Sequence, residues 1–250
     1  MDQTEAMQKA KAWVKTSSHI VFFGGAGVST ASGIPDFRSE NGLYHTMKRA
    51  HLPEYYFSHE FSVEDPDGFA DFTRECILSY QVEPSGAHIA LAHLEQQGKL
   101  EAVVTQNIDS LHQRAGSRRV LEIHGNMAHI YCPSCGHVMA TDDFMARKGR
   151  VLCPVCGDIL RPDVVLYGEA LHEEVFLAAI EAIRRADTLI VGGTSLVVYP
   201  AAGLVNYYRG HQFILLNRDP TPADSLADIA IHGDIAEILP ALVEDGEEGE

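Results

Sequence analysis

VFFGGAGVSTASGIPDFRS, residues 21–39, is the stretch that decides the fold of this chain. It opens with a short apolar run, which is typical of a buried parallel strand. Gly24, Gly25 and Gly27 come next, and glycine allows a tight turn and the close approach of another molecule to the backbone. We expect a helix to begin at residues 28–32, where free N–H groups and a positive dipole end would suit a phosphate. The stretch therefore predicts a strand, a loop and a helix that hold a pyrophosphate, although a plain glycine-rich turn has the same pattern.

The residues after the glycines depart from the usual dinucleotide-binding fingerprint. That fingerprint has a third glycine where this chain has Thr30, and an acidic residue about 20 positions later, at the end of a second strand. This chain has neither; instead, Asp36, Phe37 and Arg38 follow a rigid proline. A segment with an acid, an aromatic ring and an arginine can lie over a bound nucleotide and act on it.

The composition is that of an ordinary globular protein, with 46% apolar and 22% charged residues among 250. That length suits one large domain or one domain with an insert. No run of about 18 apolar residues occurs and the N-terminus has no apolar signal core, so we expect a cytoplasmic protein without a membrane span. The net charge of −16 argues against direct nucleic-acid binding, for which a basic face is needed. The charge suits lysine-rich protein partners, or serves solubility alone, and we expect a monomer.

Short apolar runs alternate with helical patterns along most of the chain, which predicts an α/β fold with a doubly wound parallel, Rossmann-like sheet. Its strands are expected at 20–23, 100–105, 120–123, 164–167, 188–191, 213–216 and 229–231. The predicted parts are a Rossmann-like domain at about 1–40, 85–127 and 160–243, a helical module at 41–84, a zinc-binding module at about 128–159 and an acidic tail at 244–250. The aromatic residues of the helical module, together with Cys76, are expected to form its own core rather than a cofactor site.

Four of the cysteines form two CxxC pairs, Cys132 with Cys135 and Cys153 with Cys156. Each pair can place two thiolates on one metal ion, and two pairs complete a tetrahedral zinc site. Four cysteines leave no open coordination position, so the zinc ion would be structural. A redox CxxC site is one alternative, but the presence of two CxxC motifs disfavours it. A nucleic-acid-binding zinc ribbon is another, but the acidic charge of the protein does not support it.

Polar residues directly follow several of the predicted strands. Residues 106–109 follow one strand, His124 another and residues 193–195 a third. The carboxyl ends of parallel strands meet at one edge of the sheet, where open α/β folds bind ligands. His124 is a candidate general base because an imidazole exchanges protons near neutral pH, although a histidine can also be purely structural.

GAGVSTASGIPDFRS, residues 25–39, resembles the signature of the sirtuins, the NAD-dependent protein lysine deacylases of the short, single-domain type. The resemblance continues through TQNID (105–109), HG (124–125), RPDVVLYGE (161–169), GTSLVVYPA (193–201), Asn217 and Gly233-Asp234. It covers nearly the whole chain and weakens only in the aromatic segment and the tail. It implies NAD as a co-substrate, one structural zinc ion, and acetylated lysine-containing proteins or peptides as partners.

The resemblance also implies roles for individual residues. His124 and Asn107 would be catalytic, the histidine as general base and the asparagine by positioning the ribose and a water. Asn217 would replace the missing acid at the adenine ribose. The NAD site would comprise Gly25, Ala26, Gly27, Thr30, Asp36, Phe37, Arg38, Gln106, Asn107, Ile108, Asp109, His124, Gly193, Thr194, Ser195, Asn217, Arg218, Asp234 and Ile235. The acyl-lysine peptide would lie as a strand between two exposed edges, which would include Val165, Gly168, Glu169, Val197 and Val198.

The reaction that the resemblance implies consumes NAD and moves no hydride. The acyl oxygen of the lysine attacks C1′ of NAD as nicotinamide leaves, His124 then deprotonates a ribose hydroxyl, and water releases lysine and O-acetyl-ADP-ribose. A mono-ADP-ribosyltransferase on the same site is one alternative. A zinc-bearing NAD-binding module without catalysis is another, and the intact Asn107, Asp109 and His124 argue against it. Members that remove acidic acyl groups carry a Tyr and an Arg after the glycine loop, and the absence of arginine from residues 42–47 favours acetyl and other apolar acyl groups.

Overall fold

The computed structural model of this chain describes residues 2–76 and 82–244, so the predictions for the side chain of Cys76 and for the tail beyond residue 244 lie outside the described residues. The helices are α1 (Gln3–Thr16), α2 (Leu43–Thr46), α3 (Pro53–Tyr56), α4 (His59–Glu64), α5 (Pro66–Cys76), α6 (Gly86–Gln96), α7 (Leu111–Arg114), α8 (Thr141–Met145), α9 (Glu173–Arg185) and α10 (Ile235–Val243). The strands are β1 (Ile20–Gly24), β2 (Leu100–Thr105), β3 (Val120–Glu122), β4 (Gly125–Tyr131), β5 (Val138–Met139), β6 (Val151–Leu152), β7 (Ile159–Val164), β8 (Thr188–Gly192), β9 (Phe213–Asn217) and β10 (Ile229–His232). Across these described ranges, none of the helices has the length and apolar character needed to cross a membrane.

Six parallel strands form the main sheet, in the order β10-β9-β8-β1-β2-β3. This is the strand order of dinucleotide-binding folds, in which two halves meet at the first strand of each. Here those strands are β1 and β8, which pair in register from Ile20 with Thr188 to Gly24 with Gly192. The doubly wound, Rossmann-like sheet predicted from the sequence is confirmed. In such sheets ligands bind beyond the carboxyl ends of the strands, at the point where the strand order reverses.

Helices cover both faces of this sheet because its central strands are apolar on both faces. Side chains alternate between the faces along a strand, so Phe22 packs among residues of α1, α6 and α10, whereas Phe23 packs against α9. Every residue of β1, β8 and β9 is buried. Continuous apolar strands of this kind occur where a sheet is covered on both sides.

The aromatic-rich segment folds into the short helices α2 to α5 and has a core of its own. Tyr56, Phe61, Phe69 and Phe72 are buried together, and several of their rings meet edge to face, as aromatic quadrupoles favour. These four rings therefore form a core as the sequence predicted, whereas Phe57, from the same segment, lines a large cavity. Leu166 joins this core, so the helical module packs against the segment that follows β7.

The zinc module is a separate antiparallel sheet, ordered β5-β4-β7-β6, with Ile130, Phe144 and Leu160 in its core. Helix α5 is fastened to it by Arg74, whose guanidinium donates to the carbonyl oxygens of Phe144 (3.0 Å) and Gly149 (2.9 Å) and lies 4.4 Å from the Phe144 ring. The two inserted modules therefore form a continuous structure beside the main sheet, although they are distant in sequence.

The structure corrects the strand predicted at residues 164–167. Val164 is the last residue of β7, where it pairs with Gly125 in the antiparallel sheet of the zinc module, and residues 165–169 form a loop. Burial alternates along β7, which is typical of a strand with one covered face. The apolar run in the sequence spans the end of this strand and the loop, and the run alone did not reveal the change of sheet.

The helix expected after the glycine loop is also wrong. The chain forms two 3₁₀ helices there, Ala26–Val28 and Thr30–Ser32, and Gly33, with a φ of 95°, ends the second. The segment Ala201–Tyr207 is likewise 3₁₀ where an α-helix was expected. The glycine loop therefore lacks the dipole of a long helix, and most of its N–H groups, among them those of Gly27 and Val28, already donate to backbone carbonyl oxygens.

Candidate active site

A cavity of about 580 Å³ opens where β1, β2 and β8 end, a volume within the ~300–1,000 Å³ typical of small-molecule sites. Most of the residues that the sequence predicted for the site line it together. They are Gly25, Ala26, Gly27, Asp36, Phe37, Arg38, Gln106, Asn107, Ile108, Asp109, His124, Val165, Gly168, Glu169, Gly193, Thr194, Ser195, Val198, Asn217 and Arg218.

Four predicted residues lie outside the lining of this cavity. Thr30, Asp234 and Ile235 line a smaller cavity of about 50 Å³ that adjoins the large one and shares Gly27 with it. Val197 is exposed and lines neither of these two cavities.

Two glycine loops form the floor of the cavity, at the crossing point of the sheet. Gly27 donates its N–H to the carbonyl oxygen of Gly193 at 2.8 Å. A Cβ on Gly27 would lie 2.8 Å from the Gly193 Cα, and one on Gly193 would lie 2.5 Å from the Val28 nitrogen. Gly193 also has a φ of 62°, which favours glycine. The loops after β1 and β8 can meet this closely only because both positions lack a side chain.

His124 lies in the turn between β3 and β4, half-buried in the cavity wall. Its Nδ1 is 3.0 Å from the carbonyl oxygen of Gln106, and since a carbonyl can only accept, Nδ1 carries the proton and Nε2 of the neutral ring is unprotonated. Burial lowers the pKa of His124, against the opposing effect of the hydrogen bond to Gln106. The imidazole is therefore neutral at pH 7 and has a basic nitrogen.

Gly125 explains why a glycine follows this histidine. Its φ is 77°, and a Cβ there would lie 2.0 Å from the carbonyl oxygen of Asp163. Next to it, the His124 carbonyl accepts the Val165 N–H at 2.9 Å. The crossing of β4 and β7 thus fixes the backbone on which His124 is mounted.

Ser29 is a residue of the site that the sequence reasoning missed. Its fully buried hydroxyl donates to Asp109 Oδ2 at 2.7 Å, so it must accept from the Asn107 amide nitrogen, at 3.0 Å. These two hydrogen bonds fix the orientation of the Asn107 amide. They leave the Asn107 Oδ1 to accept a hydrogen bond from a hydroxyl or a water. The only signal in the sequence was a serine just beyond the glycines, which the prediction of a helix start did not single out.

Asn217, expected at an adenine ribose, also binds the protein backbone. Its side-chain oxygen accepts the Thr194 N–H at 3.0 Å and its amide nitrogen donates to the Thr194 carbonyl, also at 3.0 Å. Gln106 donates to the Thr194 hydroxyl at 2.9 Å. The buried Asn217 therefore holds the loop after β8 in shape, and Thr194 connects it to the loop after β2.

The acidic residues at this end of the site also bind the backbone. Asp36 Oδ1 accepts the N–H groups of Arg38 (3.1 Å) and Ser39 (2.8 Å). Asp234 caps the N-terminus of α10 through the Ala236 N–H at 2.9 Å. Both carboxylates thus fix turns that border the cavities.

The side of the cavity nearest the helical module is apolar. The Phe37 ring meets the Phe57 ring edge-on at 5.4 Å, and Ile108, Val164 and Leu166 line the same cavity. Such a surface suits the methylene stem of a lysine and a small apolar acyl group.

The four cysteines of the CxxC pairs come together in the zinc module, with their Sγ atoms all within 4.8 Å of one another. Zn–S bonds of about 2.3 Å in a tetrahedron would separate the sulfurs by about 3.8 Å, and the Cys132–Cys156 and Cys135–Cys153 sulfurs are 3.4 and 3.5 Å apart. Each pair sits on the same kind of turn, in which the N–H of the glycine after the pair donates to the carbonyl of its first cysteine at 2.9 Å. The residues fit a structural zinc ion.

Comparisons with known proteins agree with this geometry. Residues 25–200 match the model of the Sir2 family. The NAD-dependent protein deacetylase of Clostridium perfringens (strain 13 / Type A) is 50% identical over 243 residues, which cover 96% of this chain and 99% of that protein. The NAD-dependent protein deacetylase of Staphylococcus aureus (strain N315) is 41% identical over 238 residues, covering 95% and 98%.

Solved structures show the same fold. A structure described as "Structural Basis for the Mechanism and Regulation of Sir2 Enzymes" superposes with a TM-score of 0.85 at 40% identity and covers 97% of each chain. A complex described as "Sir2-p53 peptide-NAD+" superposes with a TM-score of 0.82 at 37% identity, covering 93% of this chain and 95% of the other.

Proposed function

Because the chain belongs to the Sir2 family, it is an NAD-dependent protein deacetylase, and we propose that the cavity at the crossing point of the sheet carries out the reaction with His124 as general base. The reaction removes an acetyl group from a protein lysine and yields nicotinamide, O-acetyl-ADP-ribose and free lysine. The observation that carries the proposed role is the state of His124, a neutral imidazole in the cavity wall whose Nδ1 is bound and whose Nε2 can accept a proton.

We assign the two ends of NAD from the groups that the cavity offers. The glycine loop, which has no side chains to block a close approach, and Arg38 beside it, which supplies a positive charge, would take the pyrophosphate. The Asn107 Oδ1, oriented through Ser29 and Asp109, can accept from a ribose hydroxyl or hold a water. Residues 193–195 and 217–219 border the other end of the cavity, where the adenosine would lie.

His124 would take a proton from a ribose hydroxyl, which is a poor nucleophile until it is deprotonated. A positioned general base contributes typically about 10²–10⁴-fold to a rate. Burial lowers the pKa of His124 below its usual value, which favours the neutral, reactive form of the ring at pH 7.

The acyl-lysine side chain would enter along the apolar wall of Phe37, Ile108, Val164 and Leu166. Arg49, the first arginine after residues 42–47, lies with its guanidinium 5.2 Å from the Phe72 ring and pairs with Glu75 at 3.1 Å. That arginine thus belongs to the helical module, which supports acetyl and other apolar acyl groups as substrates over acidic ones. We also propose a cytoplasmic location and take a monomer as the default state.

Mass spectrometry of an acetyl-lysine peptide incubated with NAD tests the function directly. Deacetylation predicts that the peptide becomes about 42 Da lighter and that nicotinamide forms in equal amount. A mass increase on the enzyme or on an added protein would instead reveal ADP-ribosyl transfer. Loss of deacetylation in His124→Ala with NAD binding intact would assign the base, and retention of activity in that variant would exclude it.

A further inference from the structure

We propose that Arg161 and Glu169 form a clip that shapes the peptide-binding loop, residues 165–169, and that Glu169 acts on the peptide only through this loop. The inference rests on the proposed function in taking this wall of the cavity as the place where the acyl-lysine peptide binds. It replaces the direct contact between Glu169 and the peptide that the sequence suggested.

The carboxylate of Glu169 is fully engaged within the protein. Oε1 accepts from Arg161 Nη1 at 2.6 Å and lies 3.1 Å from His59 Nδ1. Oε2 accepts from Arg161 Nη2 at 3.0 Å and from the Leu166 N–H at 2.9 Å. An ionised carboxylate offers about four lone-pair sites, and these donors use them, so none is left for a substrate.

Arg161 fixes both ends of the loop at once. The same Nη2 that binds Glu169 also donates to the Val164 carbonyl oxygen at 2.7 Å, so one guanidinium joins the start of the loop to its end. The Arg161 and Glu169 side chains are only 15% and 24% exposed. Burial alone would raise the pKa of Glu169, but the hydrogen bonds from Arg161 and Leu166 outweigh it and hold that pKa below its usual value. The pair is therefore ionised, and a two-pronged guanidinium–carboxylate contact of this kind is geometrically specific.

The helical module holds the loop from its other side. The Tyr167 N–H donates to the Phe57 carbonyl and the Tyr167 carbonyl accepts the His59 N–H, both at 2.9 Å. His59 thus contacts the loop through its backbone and Glu169 through its ring. With the loop fixed between β7 and α4, Val165 and Gly168 are presented to the cavity in one arrangement, and a peptide strand gains affinity from a preformed partner.

A double-mutant cycle tests the clip. We would compare the wild type with Arg161→Met, Glu169→Gln and Arg161→Met/Glu169→Gln, measuring KM for the acetyl-lysine peptide, KM for NAD and kcat. The clip predicts that each single change raises the peptide KM by about 10-fold or more through misplacement of the loop, with the NAD KM within about 2-fold. It also predicts that the peptide KM of the double variant is no higher than that of the more impaired single variant, because the two residues act as a unit. Additive losses, or equal losses for peptide and NAD, would overturn it.

Two peptides separate the clip from direct recognition. One carries arginines beside the acetyl-lysine and the other carries alanines there. The clip predicts the same fold-loss for both in Glu169→Gln, whereas a carboxylate that touches the substrate predicts a loss confined to the basic peptide.

The matched control is the exposed pair of Asp67 and Arg150, which is also two-pronged, at 3.1 and 2.7 Å, but lies away from the cavity. Arg150→Met should leave the peptide KM unchanged.

Fluorescence anisotropy with a labelled acetyl-lysine peptide is measured beside turnover, together with melting curves for every variant. A wild type that binds the peptide but does not deacetylate it would contradict the proposed function. The clip would then be tested by the peptide affinities of the variants. Clip variants that fold and bind the peptide as the wild type does would sink the clip alone.

Discussion

Lowering the pH from 7.5 to 5 should destabilise this fold through one buried imidazole, that of His88. The ring is fully buried at the start of α6, and its Nδ1 accepts the N–H of Ser85 at 3.1 Å. Protonation would place a hydrogen on that acceptor and a charge in the core. Burial accordingly lowers the pKa of His88 from 6.5 to about 4, with a smaller opposing effect of the Asp109 charge.

The sign and size follow from proton linkage. A folded-state pKa below the unfolded one means that, as the pH falls through 6.5, the unfolded chain binds a proton that the folded protein refuses. Stability is therefore complete above pH 6.5 and is lost progressively towards pH 4. With these two pKa values the loss between pH 7.5 and pH 5 is about 2 kcal/mol. The neighbouring His112, whose pKa burial lowers well below its usual value, adds to the loss in the same direction.

Urea unfolding at pH 7.5, 6.5 and 5 would measure this in the wild type and in His88→Asn. The asparagine oxygen can still accept the Ser85 N–H but does not titrate, so the variant should start less stable and lose about 2 kcal/mol less on acidification. Carboxylates titrate alike in both proteins and cancel in the comparison. Identical pH dependence in the two proteins would refute the assignment of the loss to His88.

Three further outcomes are expected. His124→Ala should keep its melting temperature and NAD affinity while the deacetylation rate falls by about 10²–10⁴-fold; a parallel loss of melting temperature and NAD affinity would mark His124 as structural. The wild-type rate should be flat above pH 7, because the pKa of His124 lies below its usual value. Removal of zinc by a strong chelator should lower the melting temperature, since binding energy at a four-cysteine site is folding energy, and unchanged melting of metal-free protein would contradict this. Labelled nicotinamide should exchange into NAD when acetyl peptide is present, because residues 106–109 line the cavity beside His124, and the absence of label in NAD would exclude a reversible first step.

The central sheet could be predicted because its information is local. The residues of β1, β8 and β9 are apolar on both faces, and such runs are distinctive in any sequence. The paired cysteines are equally legible, since spacing alone brings two sulfurs to one metal. The end of β7 was misassigned because which sheet a strand joins depends on its partner, here β4, and not on its own composition.

The roles of polar side chains were the least predictable part of the site. Asn217 and Glu169 line the cavity, and the sequence did not reveal that their side chains also hydrogen-bond to Thr194 and Arg161. Ser29 was missed for the converse reason, because its partners Asn107 and Asp109 lie far away in the sequence. A motif locates the site, but residues that are distant in sequence and close in the fold decide which groups an amide or a carboxylate hydrogen-bonds to.

The Arg74 contacts between the helical and zinc modules constrain how this protein can be recombined with its relatives. A chimera that exchanged only residues 128–159 would set Arg74 against a new loop in place of the Phe144 and Gly149 carbonyls. The nearly buried Arg74 would keep its ion pair with Asp71 but lose two hydrogen bonds to a charged group, each worth about 1.5–3 kcal/mol. Crossover points should therefore carry α5 along with the zinc module, so that the unit to be exchanged is a pair of segments chosen by contact and not one continuous stretch of gene.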